Sequence, residues 1–309
     1  MPAVSVKGLK KRYRDVEAVS SVDLQIERGE VYAILGPNGA GKTTTIEILE
    51  GFRNRDAGHI DVLGFDPADP LTSRQLRERM GVVLQELAIE PFLTVRQVLL
   101  RNAGYYPSPR PVGEVLELVG LASKADKRVK TLSGGQQRRL DLGLGIVGNP
   151  ELLFLDEPTT GFDPSARRDA WELVRSFAGG GTTVILTTHY MDEAESLADR
   201  VAVLASGAIV AEGTPRSLGG RDVSEARISF GLPPGTPASA LPVAAKTAGN
   251  GSFEIRTNRE VEVLAALTNW AIRESVELTA LRVERMTLED VYLKLTGHMA
   301  ESTESTAAR

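Results

Sequence analysis

Gly36, Gly41, Lys42 and Thr43 stand in the order Gly-x-x-x-x-Gly-Lys-Thr within the stretch ILGPNGAGKTTTIEIL, residues 34–49. This is the Walker A pattern. Glycines let backbone N–H groups curl around phosphate oxygens with no Cβ in the way. The N-terminus of a following helix adds partial positive charge. Lys42 can reach β- and γ-phosphates, and the Thr43 hydroxyl can ligate Mg2+. A second group of chemistry-bearing residues closes the apolar run 152–155 with Asp156, Glu157 and Pro158. A strand that delivers a carboxylate to a nucleotide fits Walker B: Asp156 holds Mg2+, directly or through water, and Glu157 polarises the attacking water.

These residues need elements to hold them. The wholly apolar run 31–35 reads as a strand buried on both faces. After the glycine loop, residues 43–50 carry Ile46 and Leu49 at helical spacing, with Gly51 as a stop. The runs 152–155 and 183–188 read as further buried strands, the second ending at His189, and 201–205 as another. Helical stretches at 166–177 and 191–198 lie between them. Strands alternating with helices imply a mostly parallel sheet, and polar strand ends place a site at its carboxyl edge. Residues 90–150 break the rhythm with helical stretches at 94–102, 113–119 and 136–147, a separate helical lobe. Composition shifts near Leu218. A Pro-, Ala- and Gly-rich loop follows, then a strand at 253–256, a helix from 258 to about 272 with Thr257 and Glu260 spaced as a capping box, a strand near 278–283, and a last helix from 288 to 296 stopped by Gly297. The tail from about 299 is expected to be disordered.

Composition bounds the class. The 309 residues are 42% hydrophobic and 25% charged, with a net charge of −5 and no cysteine. Disulfide and thiol chemistry are excluded, and the acidic balance disfavours a dedicated nucleic-acid binder. The basic cluster Lys7, Lys10, Lys11, Arg12 and Arg14 reads as a solvated strand edge. The first residues lack the apolar run of a secretory signal. No segment approaches the roughly 20 apolar residues that span a bilayer, so work at a membrane would need another chain for the membrane part.

The pentad LSGGQ at Leu132, Ser133, Gly134, Gly135 and Gln136 lies between the two nucleotide motifs. With it, the sequence resembles the ATP-binding subunit of an ABC transporter. The resemblance runs from Val4 to about Leu218 and is carried by GPNGAGKTT, Gln85, LSGGQQRR, LLFLDEPTTGFD and TTHYMDEAE, in that order. It implies an α/β fold of the P-loop NTPase, ABC type: a nucleotide-binding domain at 1–218, with a helical lobe at about 90–150, and a small C-terminal α+β domain at 219–309.

By resemblance, ATP and Mg2+ are the cofactors. The phosphates lie on Gly36, Pro37, Asn38, Gly39, Ala40, Gly41, Lys42, Thr43 and Thr44, and Tyr13 matches the aromatic that stacks on adenine. Gln85 matches the glutamine that touches Mg2+ and the attacking water. Asp163 matches the aspartate at the dimer seam, where Phe162 replaces the more usual leucine. His189 matches the histidine that contacts the γ-phosphate. Catalysis falls to Glu157, His189 and Gln85, and metal binding to Thr43, Gln85 and Asp156.

Ser133 and Gly135 of one chain would reach the ATP held by another, with Gly134 and Gln136 beside them. One chain carries one set of motifs, which implies a homodimer with both sites active. A separate multi-helix permease would dock near Gln85, with Leu87, Phe92 and Leu93 as its socket. That places the chain at the cytoplasmic face of the cell membrane. The stretches GPNGAGKTTTIEILEGF and TTHYMDEAE and the ending LEDVYLKLTG resemble the daunorubicin/doxorubicin-resistance type of exporter ATPase, whose cargo includes drugs, antibiotics, lipids or polysaccharide. Its C-terminal domain is expected to serve dimer contacts or regulation. The rival class is a soluble ABC-type ATPase acting on the ribosome or nucleic acid. Such proteins carry paired cassettes in one chain or a long coiled coil, and neither occurs here. A module that only binds ATP is disfavoured by Glu157, His189 and Gln85 standing together.

Overall fold

The computed structural model describes residues 1–83, 89–233, 236–248 and 252–307, and side chains as far as 297. Contacts divide the chain into two units, Met1–Pro215 with Leu295–Arg309, and Arg216–Lys294.

The first unit is built on a nine-stranded sheet. In chain order its elements are β1 (Val4–Tyr13), β2 (Val16–Ile26), β3 (Val31–Leu35), α1 (Lys42–Leu49), β4 (Ala57–Val62), α2 (Ser73–Glu78), β5 (Met80–Val83), α3 (Val95–Ala103), α4 (Val112–Leu118), α5 (Gly134–Ile146), β6 (Leu152–Asp156), α6 (Pro164–Gly179), β7 (Thr183–Thr188), α7 (Met191–Leu197), β8 (Arg200–Ala205) and β9 (Ala208–Gly213). The strand order is β4-β1-β2-β9-β8-β3-β7-β6-β5. From β8 to β5 every pairing is parallel. At the other end β4, β1 and β2 pair antiparallel, as do β8 and β9.

The two halves differ for a reason visible in the chain. Every residue of β3 and β7 is buried, as strands covered on both faces require. In β1 and β2 buried positions are interrupted by exposed charged residues, the habit of a sheet with one wet face. The register sets Leu35 beside Thr188 and Asp156 beside Thr187, so the carboxyl ends of β3, β6 and β7 are neighbours.

Helices α3, α4 and α5 pack on one another, and Gly143 of α5 meets Leu99, Val115 and Val119. Helix α5 also lies directly on β5. A Cβ on Gly81 would stand 2.0 Å from the Gly145 carbonyl oxygen, so neither residue could be larger without parting helix from strand.

The second unit holds β10 (Ala226–Gly231), β11 (Lys246–Thr247), β12 (Ser252–Thr257), α8 (Glu260–Arg273), β13 (Thr279–Glu284) and the start of α9 (Leu288–Ala307). Its sheet is antiparallel in the order β11-β12-β10-β13. Leu267, Trp270 and Ala271 of α8 close its core over Ile228, Phe230, Phe253 and Ile255.

Two expectations are corrected here. Helix α9 does not stop at Gly297 but runs to Ala307. A helix tolerates one interior glycine at about 1 kcal/mol, and the Met, Ala and Glu beyond it favour helix. Thr257 and Glu260 do not form a capping box. The helix starts with Arg259 at its cap and no side-chain capping bond, while the Thr257 hydroxyl accepts from the Arg259 N–H at 3.0 Å. The box fails because the chain makes a short side-chain turn before the helix begins.

Candidate functional site

The loop leaving β3 is shaped by contacts that only glycine allows. A Cβ on Gly36 would sit 2.3 Å from the Leu204 carbonyl oxygen, and one on Gly41 would sit 2.3 Å from that of Ala18. Gly41 also has φ +101°. The loop is therefore pressed between β8 and β2. Pro37, Asn38 and Gly39 face solvent, as does Thr43; Thr44 is half-buried and Ala40 buried.

Lys42 opens α1 and turns back into this loop. Its Nζ donates to the carbonyls of Gly36 at 2.6 Å and Pro37 at 3.1 Å. An ammonium has three donors, so one remains for a ligand. Burial pulls its pKa below the usual lysine value, against the opposing pull of the Glu157 and Asp156 carboxylates.

Opposite Lys42 stand the ends of β6 and β7. The Thr187 hydroxyl donates to Asp156 Oδ1. Glu157 adopts the left-handed conformation, φ +46°, and its N–H donates to the Thr187 carbonyl at 3.1 Å. Its carboxylate lies 3.2 Å from His189 Nδ1 and accepts from the Thr160 hydroxyl at 3.2 Å. The imidazole lies tilted at 39° beside the Tyr190 ring, ring centres 4.0 Å apart, and Arg167 lies over that tyrosine at 4.2 Å. A buried lysine, two adjacent carboxylates and an imidazole thus converge at one sheet edge.

Other expected site residues sit elsewhere. Tyr13 ends β1, where the ammonium of Lys11 and the guanidinium of Arg53 lie 5.4 and 5.6 Å from its ring centre. Ser133 caps α5. Its Oγ accepts from the Gln136 N–H, and the Gln136 side chain accepts from the Ser133 N–H, a capping box that places Gly134 and Gly135 in the first turn. Asp163 caps α6 by accepting from the N–H groups of Ser165 and Ala166, both at 2.9 Å. Among the described residues no hydrogen bond or ion pair joins 133–136 to the glycine loop. Gln85 and Leu87 lie outside the described residues.

Several residues around the site were not singled out by sequence reasoning. Arg138, from the run QQRR after the pentad, is buried under the turn that follows β6. Glu193, in TTHYMDEAE, is fully buried and accepts from the Thr159 hydroxyl at 2.9 Å and Trp171 Nε1 at 3.1 Å. Burial raises its pKa. Glu50, at the end of α1, is buried with one oxygen unpartnered, and burial, aided by Asp156 and Glu47, pushes its carboxyl up to about 8. The only signal for these was a charge inside a motif, and pattern alone does not separate a buried charge from a solvated one.

Residues 19–160 match the ABC transporter family, and residues 226–287 match the C-terminal domain of ABC transporter domain-containing protein-like chains. The chain is 38% identical over 305 residues to the daunorubicin resistance ATP-binding protein DrrA3 of Streptomyces coeruleorubidus, covering 96% of each. It is 43% identical to the Nod factor export ATP-binding protein I of Burkholderia orbicola, over 70% of this chain and 72% of that one. Among solved structures, cbiO1 of Clostridium perfringens, part of the transporter complex cbiONQ, superposes with a TM-score of 0.63 at 29% identity, over 70% of this chain and 90% of that one. A dimeric bacterial ABC transporter cassette superposes with a TM-score of 0.61 at 25% identity, over 68% and 98%.

Proposed function

Because this chain belongs to the ATP-binding subunits of ABC transporters, a family that hydrolyses ATP, we propose that it powers an export permease in a separate chain, through closure of a dimer of two copies around two ATP molecules. The observation that carries the reading is the convergence of Lys42, Asp156, Glu157 and His189 at the carboxyl edge of β3, β6 and β7.

The roles follow from the chemistry. The spare donor of Lys42 and the exposed N–H groups of the glycine loop bind phosphate oxygens. The donor set also fits Mg2+. Among the described residues no three His, Cys, Asp or Glu side chains gather as a metal cage, and Mg2+ is usually held by one or two carboxylates, substrate phosphates and water. Thr43, Asp156 and Gln85 would hold it, and when bound it neutralises charge on the phosphates. Thr187 fixes the orientation of the Asp156 carboxylate. Glu157, held beside His189, accepts a proton from the attacking water, and His189 contacts the γ-phosphate. Tyr13 stacks on adenine. Ser133, Gly135 and Asp163 serve the second copy's nucleotide.

ATP binding closes the pair and hydrolysis reopens it, and a docked permease converts that motion to transport. Among the described residues no helix is long and apolar enough to cross a membrane, in keeping with a peripheral subunit held at the cytoplasmic face by its permease. The relatives' names, daunorubicin resistance and Nod factor export, support outward movement of a cargo chosen by the permease, from among drugs, antibiotics, lipids or polysaccharide. The test is recovery of tagged protein from detergent-solubilised native membranes with Mg-ATP, followed by mass spectrometry. A co-purifying multi-helix membrane protein is expected. Recovery only with ribosomal or nucleic-acid partners would overturn the transporter reading.

A further inference from the structure

The side chain of Arg138 is only 9% exposed. It lies in the second turn of α5, and its guanidinium reaches across to the turn that follows β6. Nε donates to the Pro158 carbonyl at 3.0 Å, and Nη2 donates to the carbonyls of Asp156 at 3.2 Å and Glu157 at 3.1 Å. Three successive carbonyls thus point toward one cation. A planar fork with several fixed donors can serve them together, and a single ammonium cannot.

The turn has a particular need for such a brace. Glu157 is a non-glycine residue in left-handed conformation, a strained state that persists only where its surroundings impose it. Its N–H is held from β7 by the Thr187 carbonyl at 3.1 Å, and its own carbonyl is held from α5 by Arg138. The peptide groups on both sides of its Cα are therefore fixed, and with them the direction in which its carboxylate leaves the chain.

A plainer role would be an ion pair within α5, since Asp141 lies one turn on. The geometry speaks against that as the main one. Asp141 Oδ2 is 3.6 Å from Arg138, beyond hydrogen-bond length, and Asp141 Oδ1 is buried and unpartnered. Burial outweighs the nearby guanidinium and pushes the Asp141 carboxyl up to about 6.

We propose that Arg138 is a positioning residue for hydrolysis: by clamping the carbonyls of Asp156, Glu157 and Pro158 it aims the Glu157 carboxylate, and it ties that aim to the helix whose first turn bears Ser133 and Gly135. The proposal rests on Glu157 being the base. Movement of the start of α5, when its cap meets a nucleotide on a second copy, then reaches the base of its own chain through one side chain.

The experiment compares R138M, R138Q and R138K, each alone and combined with E157Q. Steady-state and single-turnover ATP hydrolysis, Mg-ATP affinity and thermal unfolding are measured for each. In the E157-intact background, R138M should bind Mg-ATP as the parent does and lose about 10²-fold in kcat, the scale of a small misplacement of a reacting group. R138K should recover part of that loss. In the E157Q background R138M should add little, because residues acting as a unit are not additive. Folded Arg138 variants with parental kcat would overturn the proposal, and so would the same fold-loss in both backgrounds, which would mark a role in stability or binding alone. If R138M does not fold, R138Q and R138K carry the same comparison. Parental turnover by E157Q alone would remove the base assignment itself, a result separable from any failure of Arg138.

Discussion

Glu157 is held through its N–H by Thr187, through its carboxylate by His189 and Thr160, and through its carbonyl by Arg138. A glutamine there keeps the shape and loses the ability to take a proton. Glu157→Gln should bind Mg-ATP with parental affinity and hydrolyse it about 10²- to 10⁴-fold more slowly, the usual worth of a general base. Phosphate release and nucleotide titration measure the two quantities, and near-parental turnover would exclude Glu157 as the base. At this scale the sequence told placement where neighbours along the chain decide it: Lys42 turns back into its glycine loop and Asp156 closes an apolar strand. Arg138 was not legible. Its acceptors are backbone carbonyls some twenty residues away, and a carbonyl carries no trace of residue type.

Elements are fastened to one another at the amino edge of the sheet as well. Glu151, just before β6, takes a two-point bond from Arg79, at 2.6 and 2.9 Å, and a third from Arg28 at 2.9 Å. Those hydrogen bonds and charges hold its carboxyl down at about 2. A carboxylate whose folded pKa lies below its unfolded value binds fewer protons when folded, so its contribution to stability is whole above the unfolded value of about 4.5 and is lost as pH falls toward 2. Unfolding free energy should therefore decline across that window, and Glu151→Gln should flatten that part of the curve. Denaturant titrations at stepped pH measure it, and an unchanged slope in the variant would place the acid sensitivity elsewhere. The central parallel strands were readable because burial on both faces makes them continuous apolar runs. Strands β1, β2, β4 and β10 alternate with polar residues; β1 pairs with its neighbour β2 but also with the distant β4, and β10 with the distant β12 and β13. Local pattern suffices for the first kind, and only tertiary pairing decides the second.

For the whole molecule, the question is what the protein leaves uncovered. Phe92 is 63% exposed, and the Lys130 ammonium lies 4.9 Å from its ring centre; Leu93 beside it is half-buried. An exposed aromatic with a cation above it fits the socket expected for the proposed permease. Phe92→Glu should abolish co-purification with the permease while ATP binding stays at the parental level. Unchanged association would move the socket to another surface. The dimer proposed above would bring a second copy's nucleotide to a smaller feature, the capping box of α5. A serine hydroxyl that accepts at a cap still has its hydrogen to give. Ser133 can therefore meet a phosphate without releasing Gln136, and the first turn of α5 need not refold when the site closes. Closure then carries no local ordering cost at this end, so its speed should follow diffusion and charge, with the salt dependence of an electrostatically guided collision.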